Sequence, residues 1–159
     1  MTVFRRAFAF RMAFPVLILL LAAIAAAGTS AGQSRDIGDY VVHYNTVNTS
    51  MLPPEVARAY GIQRSGSRAL LNVAILEKSD TDDELDTPVT AEVTASSVNM
   101  TGQRRNIRMQ EITDQDAIYY IGTFRIHDEE TLDFSVRVTP SHSEQDASEI
   151  RFRQQFFIE

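Results

Sequence analysis

Period-two alternation of apolar and polar side chains recurs in short runs along this chain, the signature of strands half buried in antiparallel sheets. Val89, Ala91, Val93 and Ala95 fall on one side of such a run, and Thr90, Glu92, Thr94 and Ser96 on the other. Leu132, Phe134, Val136 and Val138 alternate with Asp133, Ser135, Arg137 and Thr139, and Ile150 and Phe152 alternate with Arg151 and Arg153. Runs rich in β-branched and aromatic residues at Tyr40–Tyr44, Ala69–Glu77, Ile107–Ile112 and Ala117–Ile126 add to Val89–Val98, Leu132–Thr139 and Glu149–Ile158. The sequence therefore predicts an all-β antiparallel β-sandwich of about seven strands. Ala69–Glu77 and Ala117–Ile126 are apolar on both faces and belong at its centre.

One short helix follows the first strand. Pro54 suits the first helical position, Glu55 lies near the positive N-terminal end, and Gly61 supplies the left-handed stop. Val56, Ala59 and Tyr60 are spaced to face the sheets, so a two-turn plug is expected at one end of the sandwich. Hairpin-like turns fall at Asn99–Gln103, Thr113–Asp116 and His127–Thr131, and longer polar loops at Lys78–Pro88 and Pro140–Ser148.

The first 31 residues differ from all that follows. They hold three arginines, no acid and 23 apolar residues, with an apolar stretch from Ala13 to Ala27 followed by small residues. That order is a secretory signal peptide, expected to be cleaved after Ala27 or Ala31. The stretch falls short of the roughly 20 residues needed to span a bilayer. Arg5-Arg6-Ala7-Phe8 is similar to a twin-arginine signal, although the strongly hydrophobic leader suits general secretion of an unfolded chain. Residues 32–159 form the single expected domain, with twelve basic and twenty-one acidic residues, a net of −9. So acidic a domain gains nothing from counterion release on DNA, and nucleic acid is not an expected partner. Without cysteine there is neither a disulfide nor an N-terminal lipid anchor, and contact with the membrane is expected only through the leader during export.

No catalytic constellation emerges. There is no Gly-x-Ser-x-Gly elbow, no Gly-rich phosphate loop and no thiol nucleophile. The acidic run Asp80–Asp86 has carboxylates at alternate positions, but Leu85 stands where a calcium loop needs glycine and Ala91 where it needs a bidentate acid. His43, His127 and His142 lack metal-site spacing, so no metal or cofactor is expected. His43 lies mid-strand, as a hydrogen-bonded structural residue or a ligand contact. Gln103–Arg108 is a basic island, balanced by nearby acids across a hairpin or docked on an acidic partner or lipid headgroup. Tyr119 and Tyr120 point to opposite faces of one strand, which places at least one phenol at a surface or interface.

The stretches Gly38–Asn45, Leu52–Ile62 with Arg64-Ser65, Leu70–Val73, Asn99–Gln103 and Asp116–Gly122 resemble an exported proteobacterial family known as domain of unknown function 4426. The resemblance implies a periplasmic domain with an immunoglobulin-like or related β-sandwich and carries no established activity. Its characteristic stretches include His43, Tyr44, Asn45, Arg64, Asn72, Tyr119 and Tyr120, expected as binding residues, several of them meeting at one end of the sandwich. The function expected is a non-enzymatic module that binds an envelope protein or other envelope component through a surface around Tyr44, Arg64 and Tyr119. The alternative is a small-molecule or lipid carrier holding its ligand between the sheets near His43.

Overall fold

The computed structural model describes residues 32–81, 85–144 and 146–158. The leader and the centre of the acidic run lie outside them. In chain order the elements are β1 (Gln33–Ile37), β2 (Tyr40–Asn48), a 3-10 turn (Thr49–Met51), helix α1 (Pro54–Ala59), β3 (Arg68–Glu77), β4 (Thr87–Pro88), β5 (Ala91–Asn99), β6 (Arg104–Ile107), β7 (Gln110–Asp114), β8 (Ala117–Arg125), β9 (Thr131–Pro140) and β10 (Ser148–Gln155).

Two antiparallel sheets stack as a β-sandwich. The larger runs β1-β2-β3-β8-β7, with β4 pairing the end of β3 beyond the reach of β8, and the smaller runs β10-β9-β5-β6. The two-sided apolar runs β3 and β8 are central neighbours, as the sequence predicts. Ten strands stand where seven are expected. The polar β1 carries no alternation and is held by pairing with β2, while the run Ile107–Ile112 divides into β6 and β7, which belong to different sheets.

The inner faces meet through aromatic rings. Tyr44 of β2 lies 4.8 Å from Phe152 of β10, which stacks on Phe134 of β9 at 4.7 Å, with ring planes 8° apart. Phe134 meets Phe124 of β8 edge-on at 5.4 Å, and Phe124 meets Phe156 in the same manner at 5.6 Å. These are the offset and edge-to-face separations that ring quadrupoles favour. Val42, Leu71, Val73, Ile75, Val136 and Val138 fill the rest of the interior.

Helix α1 does not plug the end of the sandwich. It lies on the outer face of the larger sheet, where Leu52 and Ala57 pack on Leu70, Ala74, Tyr119 and Ile121. That face of β3 and β8 is apolar and needs a cover. Ala57, not Ala59, is buried, because the six-residue helix ends at once: Gly61 turns with φ 64° and the Ile62 N–H bonds the Ala57 carbonyl. The outer face of the smaller sheet is polar apart from Val98, with Arg153 forked on Asp133 and Arg151 singly bonded to Glu149. These exposed pairs contribute solubility more than stability.

The chain crosses between sheets at Arg108 and Met109, directly over Gly122 of β8. A Cβ on Gly122 would sit 2.6 Å from the Ile107 side chain, 2.8 Å from the Met109 sulfur and 2.9 Å from the Arg108 carbonyl. Gly122→Ala is expected to destabilise the domain by about 1–3 kcal/mol through overpacking. Gly32→Ala, with nothing within 4 Å, is the control. Urea denaturation followed by circular dichroism checks this, and equal midpoints for the two variants would refute the close-approach argument.

Candidate functional site

Alternation along β2, β3 and β8 sorts the predicted site residues onto two faces. His43, Asn45, Asn72 and Tyr119 share the outer face of the larger sheet, with Asn45 and Asn72 directly opposite in register. Tyr44 and Tyr120 point inward. Arg64 lies in the loop after α1 and donates to the Ser50 carbonyl at 2.7 Å. The single surface expected around Tyr44, Arg64 and Tyr119 therefore does not form: the two tyrosines are buried on opposite faces and Arg64 stands at one end. Neither Tyr119 nor Tyr120 has its phenol at a surface. The residues are 5% and 4% exposed, covered by α1 and by the second sheet respectively.

Tyr120 ties the sheets together. Its hydroxyl accepts the Ala91 N–H at 2.7 Å from the start of β5 and donates to the Glu111 carboxylate at 2.8 Å on β7. Burial pushes this phenol up to about 12, with the Ala91 N–H opposing and the Glu111 hydrogen bond and charge adding. Burial also raises Tyr60, whose hydroxyl bonds Asp114 at 3.1 Å, and Tyr119, with the Asp114 charge adding in both. All three stay protonated at neutral pH, so none is a phenolate nucleophile.

The outer face holds polar groups without forming a reactive cluster. Asn72 is 5% exposed and its Oδ1 has no hydrogen-bond partner. His43 is half buried and held in the ladder between Ser34 and Ala74, and its ring makes no side-chain hydrogen bond to the described residues, where a hydrogen-bonded ring is one of the two expectations. His43 also faces away from the space between the sheets, so a ligand held there would not meet it. Beneath α1, Leu52, Val56, Ile62, Leu70, Ile112 and Ile121 line an apolar cleft of about 10 Å³, room for one water. Among the described residues no three His, Cys, Asp or Glu side chains group to hold a metal ion.

One end of the sandwich carries a feature that strand periodicity does not reveal. The 3-10 turn, the loop through Arg64, the Asn99–Gln103 hairpin, the His127–Glu130 turn and residues 156–158 gather there. Asn48 donates to the Phe157 carbonyl at 2.8 Å, the Ile158 N–H reaches Asp128 at 3.0 Å, and the Phe156 N–H reaches the Glu130 carbonyl at 2.8 Å. The Asn99 carboxamide braces its hairpin through Thr101 and Gln103. Met51, Met100, Phe157 and Ile158 project from this end with exposures of 61%, 69%, 54% and 38%. Of the basic island, Arg105 is engaged: it bonds Glu130 at 2.9 Å and the Arg125 carbonyl at 3.1 Å, reaching the β8–β9 turn rather than an acid across its own hairpin. Glu130 also holds the His127 ring at 3.1 Å. The sequence signal for this end is a methionine at a hairpin apex and the two-sided apolar Phe156-Phe157-Ile158.

Tyr120→Phe leaves the Ala91 N–H without its partner and is expected to cost about 1–3 kcal/mol at neutral pH. The folded-state pKa lies above the ordinary value of 10, so the stability it carries is complete below about pH 10 and is lost as pH rises through about 12. Unfolding midpoints measured from pH 7 to 12 should fall less steeply in the variant, and parallel curves count against an inter-sheet tie.

Comparison with curated protein sequences finds no match. No helix among the described residues is long and apolar enough to cross a membrane. Among solved structures, a DUF4426 family protein from Pseudomonas aeruginosa PAO1 superposes with a TM-score of 0.68 at 33% identity, over 80% of this chain and 96% of that one. FetP from uropathogenic Escherichia coli, recombinantly expressed in the periplasm, superposes with a TM-score of 0.59 at 9% identity, over 81% and 95% of the two chains. A copper-bound FetP variant gives 0.57 at 10%, over 81% and 97%. At those identities FetP shares the fold alone. The family model for the domain of unknown function DUF4426 matches residues 34–159, and the chain belongs to that family.

Proposed function

We propose that this protein is an exported, non-enzymatic binding module of the cell envelope that engages an envelope component through its loop-bearing end. The observation that carries the reading is the concentration of Met51, Met100, Phe157 and Ile158 at that end. They are four of the five large apolar side chains exposed among the described residues. Isolated exposed apolar residues are ordinary, but several rimmed by polar groups in one place mark an interaction site.

The interior supports this over a carrier. A drug-sized ligand needs about 300 Å³ or more. The cleft beneath α1 has about 10 Å³, and the aromatic stack occupies the space between the sheets around Phe134. The copper-bound state of the FetP variant gives no copper reading here, because the described histidines stand apart on β2, the β8–β9 turn and the β9–β10 loop. Periplasmic export rests on the leader, and the periplasmic expression of FetP is in keeping with it.

Photo-crosslinking residues placed at Met51 and Met100 should yield covalent adducts in cells, while the same residue at Thr94, on the outer face of the smaller sheet, should not. Equal labelling from all three positions would rule out the loop-bearing end as the site. Cleavage is read directly: the protein recovered from cells should begin at Gly28 or Gly32, and an intact N-terminus at Met1 removes the export reading.

A further inference from the structure

We propose that the loop-bearing end docks on an anionic phospholipid surface, its arginines meeting the headgroups while Met51, Met100 and Phe157 enter the interface. This rests on the reading above and names the envelope component.

Charge on the sandwich is sorted along the strand axis. Arg64, Arg68, Arg104, Arg105 and Arg125 lie at the end that carries the exposed apolar side chains. They are five of the twelve basic residues that follow the leader. Acids crowd the opposite end, with Asp39 at the β1–β2 turn, Glu77, Asp80 and Asp86 in and beside the β3–β4 loop, and Asp114 and Asp116 at the β7–β8 turn. A domain of net −9 is thus basic at one pole, and an anionic surface turns that pole toward itself.

The arginines there are largely uncompensated. Arg68 and Arg125 stand directly opposite in the β3–β8 register, on the outer face beside the exposed Thr123. Like charges so placed disfavour the sheet. Among the described residues, Arg64, Arg68, Arg104 and Arg125 have no ion-pair partner, and Arg105 alone is paired, with Glu130. The other acids among the described residues at this pole are Asp133, held by Arg153, Asp128, which accepts the Ile158 and Glu129 N–H groups, and Glu129. Among the described residues, four guanidiniums without an ion-pair partner, that of Arg64 bonded to the Ser50 carbonyl, therefore stand beside two carboxylates that no arginine holds. A basic rim around protruding Met and Phe side chains matches the headgroup and acyl-boundary layers of a bilayer. An acidic protein partner would use the arginines but has no need of four apolar side chains aimed outward.

The test uses purified protein whose N-terminus has been read, floated with vesicles of phosphatidylcholine alone or with about 30 mol% phosphatidylglycerol. Binding should require the anionic lipid and fall as salt is added. Arg68→Gln with Arg125→Gln should weaken it by roughly fivefold per arginine, and Met100→Ser with Phe157→Ser should also reduce it. Asp39→Asn with Asp116→Asn, at the far pole, should leave it unchanged or stronger. Removing the opposed arginine pair should not lower the melting temperature, which separates lost docking from lost folding. Equal binding to neutral vesicles, or full binding by the double arginine variant, overturns the proposal. Absence of vesicle binding with protein adducts still forming at Met51 and Met100 overturns the lipid surface and leaves the loop-bearing end as a protein site. Absence of both removes the two readings together.

Discussion

The ring stack from Tyr44 through Phe152, Phe134 and Phe124 to Phe156 is the contact on which this domain depends. The chain has no cysteine and therefore no covalent link between its sheets. Dispersion and apolar burial across the sandwich must take that part, and the largest side chains are concentrated where the sheets face each other. The stack also settles what other residues can do. With Tyr44 inside it and Tyr120 bonded to both sheets, both tyrosines are committed to the core.

The outside is divided as sharply. The smaller sheet shows solvent two arginine–carboxylate pairs among polar side chains, and α1 covers the centre of the larger sheet over β3 and β8. That leaves the ends. One is acidic; the other combines arginines with apolar side chains and is braced by hydrogen bonds from Asn48, Asn99 and Asp128. The bracing matters, because an apolar side chain held in place by its backbone meets a partner at less entropic cost than one on a mobile loop.

Much of the fold was legible from alternation, because Val89–Val98, Leu132–Thr139 and Ile150–Phe152 each have one dry and one wet face. The centrality of β3 and β8 followed from their two-sided apolar runs. Alternation misses strands held by backbone bonding alone, so β1 was invisible. Nor does it register a change of sheet within one run, as happens between Ile107 and Gln110. It says which side chains share a face but not what covers that face, and on that ground Tyr119 was expected to be exposed and α1 to plug the end. The loop-bearing end escaped for a related reason. Met51, Met100 and Phe157 are far apart in sequence and aperiodic, and only the register of β2, β3, β5 and β9 brings them to one pole.

Two of the five rings in the central stack, Phe152 and Phe156, lie within the last eight residues of the chain. The first, Tyr44, belongs to the strand beside the N-terminal edge, so the core joins the two extremes of the sequence. A nascent chain lacking β10 leaves Tyr44 and Phe134 without the ring that lies between them, and pairing so distant in sequence is slow to form. Until β10 pairs with β9, the stack that joins the two sheets is incomplete. The position of two phenylalanines thereby sets when the core can close.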